Sequence, residues 1–329
     1  MSHSTRPRDR MLRRLLAAAA LSSVLAMAAI FLFLFISSVP AIRFSGLSFL
    51  TSLRWNLGNM YSVHPELRGG VAAPPGAAYG ILSFIAGTVL TSLIALAIAI
   101  PVSLGTALLL TEFLPARLAA PLSAVVELLA GVPSVVFGLW GLAVVVPWVG
   151  QSVGPELSRL FGVVPFFRTT ATSGQGLLAA GLVLAIMVIP IITATTRDLI
   201  QATPPELKDG AVALGLTHWE TIRAVSLPWS RAGILGAVIL GLGRALGETM
   251  AVLMIGGNAI GALPANITAP ISTMATVIVS ALDSAFSDAT GMAIHALALI
   301  ALTLLAITVA VNVPARLLIS RQQAERYGR

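Results

Sequence analysis

Apolar residues in this chain come in long blocks separated by short polar stretches. The first block, residues 15–39, follows Arg6, Arg8, Arg10, Arg13 and Arg14. That order resembles a secretory signal, yet 25 positions exceed the roughly 7–15 of a signal's apolar core. They suffice to cross a bilayer, so a retained first helix is predicted. Further blocks predict spans at 81–110, 119–148, 176–194, 232–255 and 292–313. As one helix the second would reach about 45 Å, against about 30 Å of hydrocarbon, so it kinks at Pro101 or projects beyond the bilayer. Gly131-Val132-Pro133-Ser134 interrupts the third span, Pro190 bends the fourth, and Pro314 closes the last. The apolar piece 272–282 has the length of a re-entrant or interfacial segment. The predicted division is a tail (1–14), a first helix (15–39), a proline- and glycine-rich loop (40–79), a core of five helices (80–314) and a second tail (315–329). The fold class is all-α, polytopic, with six transmembrane helices.

The longest polar interruption on one side is 203–228, and its signals agree with one another. Thr203-Pro204-Pro205-Glu206 reads as a capping box with proline at the first helical position. Leu207, Ala211 and Leu214 then share one face of a short helix. Gly215 suits the left-handed residue that ends it. Thr217-His218-Trp219-Glu220 reads as a second box, opening a helix that Pro228 stops. Two capped helices with a glycine elbow form a docking device.

Composition and charge narrow the class. The 329 residues are 57% hydrophobic and 10% charged, where a soluble domain carries roughly 25% charged residues. The net charge of +7 does not point to nucleic acid, because the arginines cluster at span ends. Fourteen basic residues fall at ends on the N-terminal side and five in the opposite loops. The positive-inside rule therefore places both termini, and the 203–228 stretch, in the cytoplasm. Absent cysteine excludes disulfides, thiolate metal sites and cysteine catalysis. The one lysine, Lys208, follows Leu207 rather than glycine, so no P-loop exists and ATP-driven work must come from a partner. His3, His64, His218 and His295 lack metal-ligand spacing.

Three ionisable residues fall inside predicted spans: Glu127, Arg244 and Glu248. Each costs at least roughly 2.5–3.5 kcal/mol at a helix centre, so each needs a partner or a wet path. Arg244 and Glu248, four apart on one predicted helix, are close enough to pair. Arg244 can line a translocation path and grip an oxyanion with its planar fork, the carboxylates holding and tuning it. Alternatively, the group only locks helix packing. Gly236, Gly243 and Gly247 share a face of the fifth span and predict close packing there, or an interface with a second permease.

Asp209, Gly210, Ala211, Gly215, Val225, Leu227 and Pro228 keep the spacing of the EAA coupling loop of ABC-importer permeases, with Asp for Glu, Gly for Ala and Val for Ile as departures. The run from Gly241 to Val252 (GLGRALGETMAV) resembles the fifth-span motif of phosphate importer permeases of the PstC type. The run from Glu127 to Gly141 (ELLAGVPSVVFGLWG) resembles their third-span motif, and Gly215 and Trp219 stand in register with their coupling loop. The resemblance extends from Tyr79 onward. It implies a type I ABC-importer permease fold and a non-enzymatic transport subunit. Arg244, Glu248 and Glu127 would line the path. Glu206, Asp209, Gly210, Ala211, Gly215, Leu227 and Pro228 would couple to the ATPase. The implied partners are a second permease (PstA type), an ATPase dimer (PstB type) carrying ATP and Mg, an extracytoplasmic phosphate-binding protein (PstS type) and phosphate itself. This chain would hold no cofactor, and its place would be a prokaryotic inner membrane. Two rivals stay open: a secondary anion–proton symporter using Glu248 or Glu127, and an ABC permease for sulfate or molybdate.

Overall fold

The computed structural model describes residues 7–62, 64–169 and 173–327. Arg6, Arg329 and His3 lie outside them. Six helices are long and apolar enough to cross a membrane. In chain order the helices are α1 (Pro7–Ser45), α2 (Ser48–Thr51), α3 (Leu82–Phe113), α4 (Ala116–Ala130), α5 (Ser134–Phe161), α6 (Leu177–Gln201), α7 (Pro205–Ala213), α8 (His218–Leu246), α9 (Met250–Ile255), α10 (Met274–Phe286) and α11 (Met292–Tyr327). In the spans α1, α3, α5, α6, α8 and α11 the helix pairs most backbone polar groups within the segment, as a lipid environment demands.

α6 is the centre of the bundle. It is apolar nearly throughout, its residues are mostly buried, and it packs along α3 and α8. Small residues permit the close approach. A Cβ on Gly181 would meet Ile94 of α3 at 2.5 Å, and one on Gly241 of α8 would meet Val188 at 2.7 Å. A second buried cluster joins Phe44, Tyr79, Ile81 and Phe84 to Met274 and Met292. It fastens α1, α10 and the start of α11 to the loop at 46–81. α1 runs antiparallel to α11, and His295 Nδ1 meets the Ser37 carbonyl at 2.7 Å.

Several sequence expectations are corrected. The all-α class with six spans stands, and short β-pairs are confined to the first loop: β1 (Trp55–Asn56) pairs with β4 (Ala78–Tyr79) around the hairpin of β2 (Glu66–Arg68) and β3 (Val71–Ala73). The expected third span is two helices, because Gly131 to Pro133 separates α4 from α5 and the crossing segment starts only at Ser134. Pro314 does not close α11, which continues through it to Tyr327. Pro228 does not stop α8 either. A widened π turn at Ile222–Ser226 directly precedes it, the adjustment by which a helix absorbs a proline that cannot donate and crowds the preceding carbonyl. Pro101 lies within α3 without ending it.

The apolar piece near 272–282 is α10, 13 residues long and too short to span. Its N-terminus is closed by Thr273 and Thr276 and tied to α3 by the Met274 N–H, which donates to Thr88 Oγ1 at 2.9 Å. The loops 46–81 and 256–273 thus share one face of the bundle, and the loop between α6 and α8 occupies the other.

Candidate functional site

The 203–217 loop projects from its face on a rigid frame. α7 begins with Pro205 at its first position and Pro204 as its cap residue. The expected box on Thr203 does not form, because Thr203 falls one residue too early and its side chain is buried without a hydrogen bond. α7 ends as its sequence predicts. Gly215 has φ +87°, the Leu216 N–H reaches the Ala211 carbonyl and the Gly215 N–H reaches Val212, the paired bonds of a glycine-terminated helix. The second box is complete: Glu220 Oε2 accepts from Thr217 N at 2.8 Å, and Glu220 N donates to Thr217 Oγ1 at 3.3 Å.

Ala211 is buried, whereas Leu207, Val212, Leu214 and Trp219 stay exposed, Leu214 at 83%. Glu206, Asp209 and Gly210 are exposed beside them, and Leu227 and Pro228 lie half-buried just past the π turn. These four large apolar side chains beside Glu206 and Asp209 form an exposed apolar patch, the kind of surface that marks an interaction site.

The second feature is a cavity of about 570 Å³ bounded by α6, α8 and α11. Ile191, Gly236, Ile239, Leu240 and Gly243 give it apolar walls, and Arg244 and Asn312 supply its polar groups. Gly236 and Gly243 therefore line open space; a Cβ on Gly243 would find only the Asn312 amide nitrogen, at 3.9 Å. The close-packing glycines of α8 are Gly233, against Leu199, and Gly241. Asn312 escapes sequence reading because one amide late in a long apolar helix carries no pattern.

Arg244 is exposed in this cavity and belongs to none of the ion pairs among the described residues, which are Arg159–Glu156, Arg197–Glu127, Arg197–Asp198 and Lys208–Glu112. The expected pair with Glu248 does not form. α8 ends at Leu246, so the four-residue spacing no longer sits on one helix. Glu248 is buried, and its Oε1 accepts from the Ala251 N–H at 3.2 Å, closing the start of α9. Glu127 is not beside Arg244 either: it stands on exposed α4 and meets Arg197 Nη2 at 2.8 Å. Among the described residues, no cluster of His, Asp or Glu could hold a metal ion. The cavity offers an apolar vestibule with one uncompensated guanidinium and one amide, chemistry suited to an anion.

Comparison with known proteins agrees with this layout. Residues 99–319 match the model of the family described as binding-protein-dependent transport system inner membrane component. Phosphate transport system permease protein PstC 1 of Mycobacterium tuberculosis is 50% identical over 289 residues, 87% of this chain and 85% of that protein. The phosphate transport system permease protein PstC of Haemophilus influenzae is 41% identical over 300 residues, 90% and 88% of the two chains. A crystal structure of a bacterial alginate ABC transporter, in complex with an alginate pentasaccharide-bound periplasmic protein, contains a chain with TM-score 0.54 at 17% identity. That match covers 92% of this chain and 93% of the other, and the likeness is one of fold.

Proposed function

The chain belongs to the inner membrane components of binding-protein-dependent transport systems, and within them to the PstC-type phosphate permeases; on that premise we propose how its parts import phosphate. It is a multi-pass transport subunit and not an enzyme. An importer of this class works with a second permease, an ATPase and a binding protein. We assign these partners to the PstA, PstB and PstS types, and the site to a prokaryotic inner membrane with both termini cytoplasmic, an orientation that the basic residues at span ends support.

Phosphate delivered at the 46–81 face enters the path shared with the second permease and meets Arg244. The guanidinium is in no ion pair among the described residues, so it can present its fork to the anion, with the Asn312 amide as a neutral donor beside it. Glu248 sets the break between α8 and α9 that ends the helix just past Arg244. α7 docks in a cleft of the ATPase through Leu207, Val212 and Leu214, with Glu206 and Asp209 at the rim. ATP and Mg stay on that partner. Closure of the ATPase pair then moves α7 and switches the permease pair between inward- and outward-facing states. Such coupling requires a two-state element that both sites bias.

The observation that carries the ATP-coupled reading is the exposed apolar knob on a doubly fastened loop, for which a proton symporter has no use. The chain has no cysteine, so Leu214→Cys gives a single reactive position. Its thiol should crosslink to the ATPase subunit in membranes, at a yield that changes with ATP. Labelling unaffected by the presence of the ATPase would refute the docking assignment.

A further inference from the structure

Among the described residues one ion pair ties α7 to the end of α3, away from the Arg244 cavity. Lys208 Nζ stands 2.7 Å from Glu112 Oε1, and the two residues are 96 positions apart in the chain. The Glu112 side chain is 6% exposed and that of Lys208 28%. The Glu112 backbone carbonyl accepts a second bond from His218 Nε2 at 3.0 Å, which requires the proton on that nitrogen. Phe113 meets the His218 ring edge-on at 5.5 Å between centroids. Two consecutive residues in the last turn of α3 therefore grip α7 through Lys208 and the first turn of α8 through His218.

The other end of α3 is equally engaged. Thr88 Oγ1 accepts from the Met274 N–H. Gly87 lies so close to the Ser272 carbonyl oxygen that a Cβ there would stand 2.2 Å from it. Between these ends α3 packs along α6 and against α8. At 1.5 Å per residue this helix spans about 48 Å, from the 203–217 loop to the 256–273 segment on the opposite face.

We propose that Glu112 is a positioning residue through which the 203–217 loop drives α3, and that α3 carries this movement to the 256–273 segment at the opposite mouth. Displacing α7 alone would leave a buried carboxylate uncompensated, which is far costlier than moving both together. The path is a contiguous network of an ion pair, a hydrogen bond and one continuous helix that ends in a π turn at Leu109–Phe113. The proposal rests on the ATP-coupled reading above.

The test is the number of phosphates taken up per ATP hydrolysed, measured in proteoliposomes holding the full complex with its binding protein. The variants are Glu112→Gln, Lys208→Met, and the exchange Glu112→Lys with Lys208→Glu. Each single variant should co-purify with the ATPase and hydrolyse ATP near the wild-type rate, while phosphate per ATP falls about tenfold, a size common for coupling between sites. The exchange should restore the ratio to within about threefold of wild type. A wild-type ratio in Glu112→Gln overturns the proposal. So does loss of ATPase co-purification in that variant, since the pair would then only shape the docking surface. If the wild-type complex shows no ATP-driven phosphate uptake, the permease reading itself fails, a result separate from either of these.

Discussion

Glu127 Oε1 lies 2.8 Å from Arg197 Nη2, so the carboxylate that sequence alone assigns to Arg244 belongs to another cation. Arg197, 12% exposed, also holds Asp198 at 2.7 Å, while Glu127 is 56% exposed. The pair clasps α4 to α6 and leaves the Arg244 cavity without that counter-charge. A pair this wet contributes about 0–1 kcal/mol. Glu127→Gln should therefore keep initial rates of labelled phosphate uptake within about fivefold of wild type. A near-complete loss would return Glu127 to the path.

Arg244→Gln should leave assembly and ATPase binding intact, because Arg244 bonds no described residue. Hydrogen bonds to a charged group are worth about 1.5–3 kcal/mol, so uptake should fall roughly 10- to 150-fold. Arg244→Lys, which keeps the charge and loses the fork, should fall between them. Normal uptake by the Gln variant would remove Arg244 from the mechanism.

Glu248 separates a capping role from a proton-carrying one. Glu248→Gln retains an oxygen for the Ala251 N–H and should retain uptake. Glu248→Ala loses that acceptor, should cost about 0.5–2 kcal/mol of stability, and should lower the melting temperature of the purified complex. If Glu248→Gln abolished uptake, Glu248 would act as a proton carrier.

Gly215 adopts φ +87° with nothing within 4 Å of a Cβ built there, so a substitution meets backbone strain and no clash. Gly215→Val should cost about 1–2 kcal/mol and loosen the end of α7. ATPase recovered with the permease in a pull-down should drop about 5- to 30-fold, with Gly215→Asn closer to wild type because asparagine tolerates this region. Equal recovery for Val would mean that the geometry of this elbow is irrelevant to docking.

What was legible from sequence is what is local. The six spans follow from runs of apolar residues, and Gly215 and the Thr217–Glu220 box from short-range capping rules. The proline readings failed at Pro228 and Pro314 because a proline's effect depends on what the preceding turn can absorb, as the π turn before Pro228 does. The pairing of Arg244 with Glu248 failed because the helix between them ends at Leu246. Arg197, Asn312 and Glu112 were missed for a different reason. Arg197 meets Glu127 from 70 residues away and Glu112 meets Lys208 from 96, pairings that only the packing of α4 on α6 and of α7 on α3 creates, while Asn312 reaches the cavity only through the packing of α11.

The central claim is that this permease is powered by ATP on a partner chain and carries phosphate past Arg244. It is tested most directly by labelled phosphate uptake into proteoliposomes holding the purified complex, with binding protein outside the membrane face that receives it and ATP on the opposite side. Uptake that requires ATP, is unaffected by collapsing the proton gradient and is lost in Arg244→Gln is the predicted result. Uptake that persists without ATP and follows the proton gradient would contradict it.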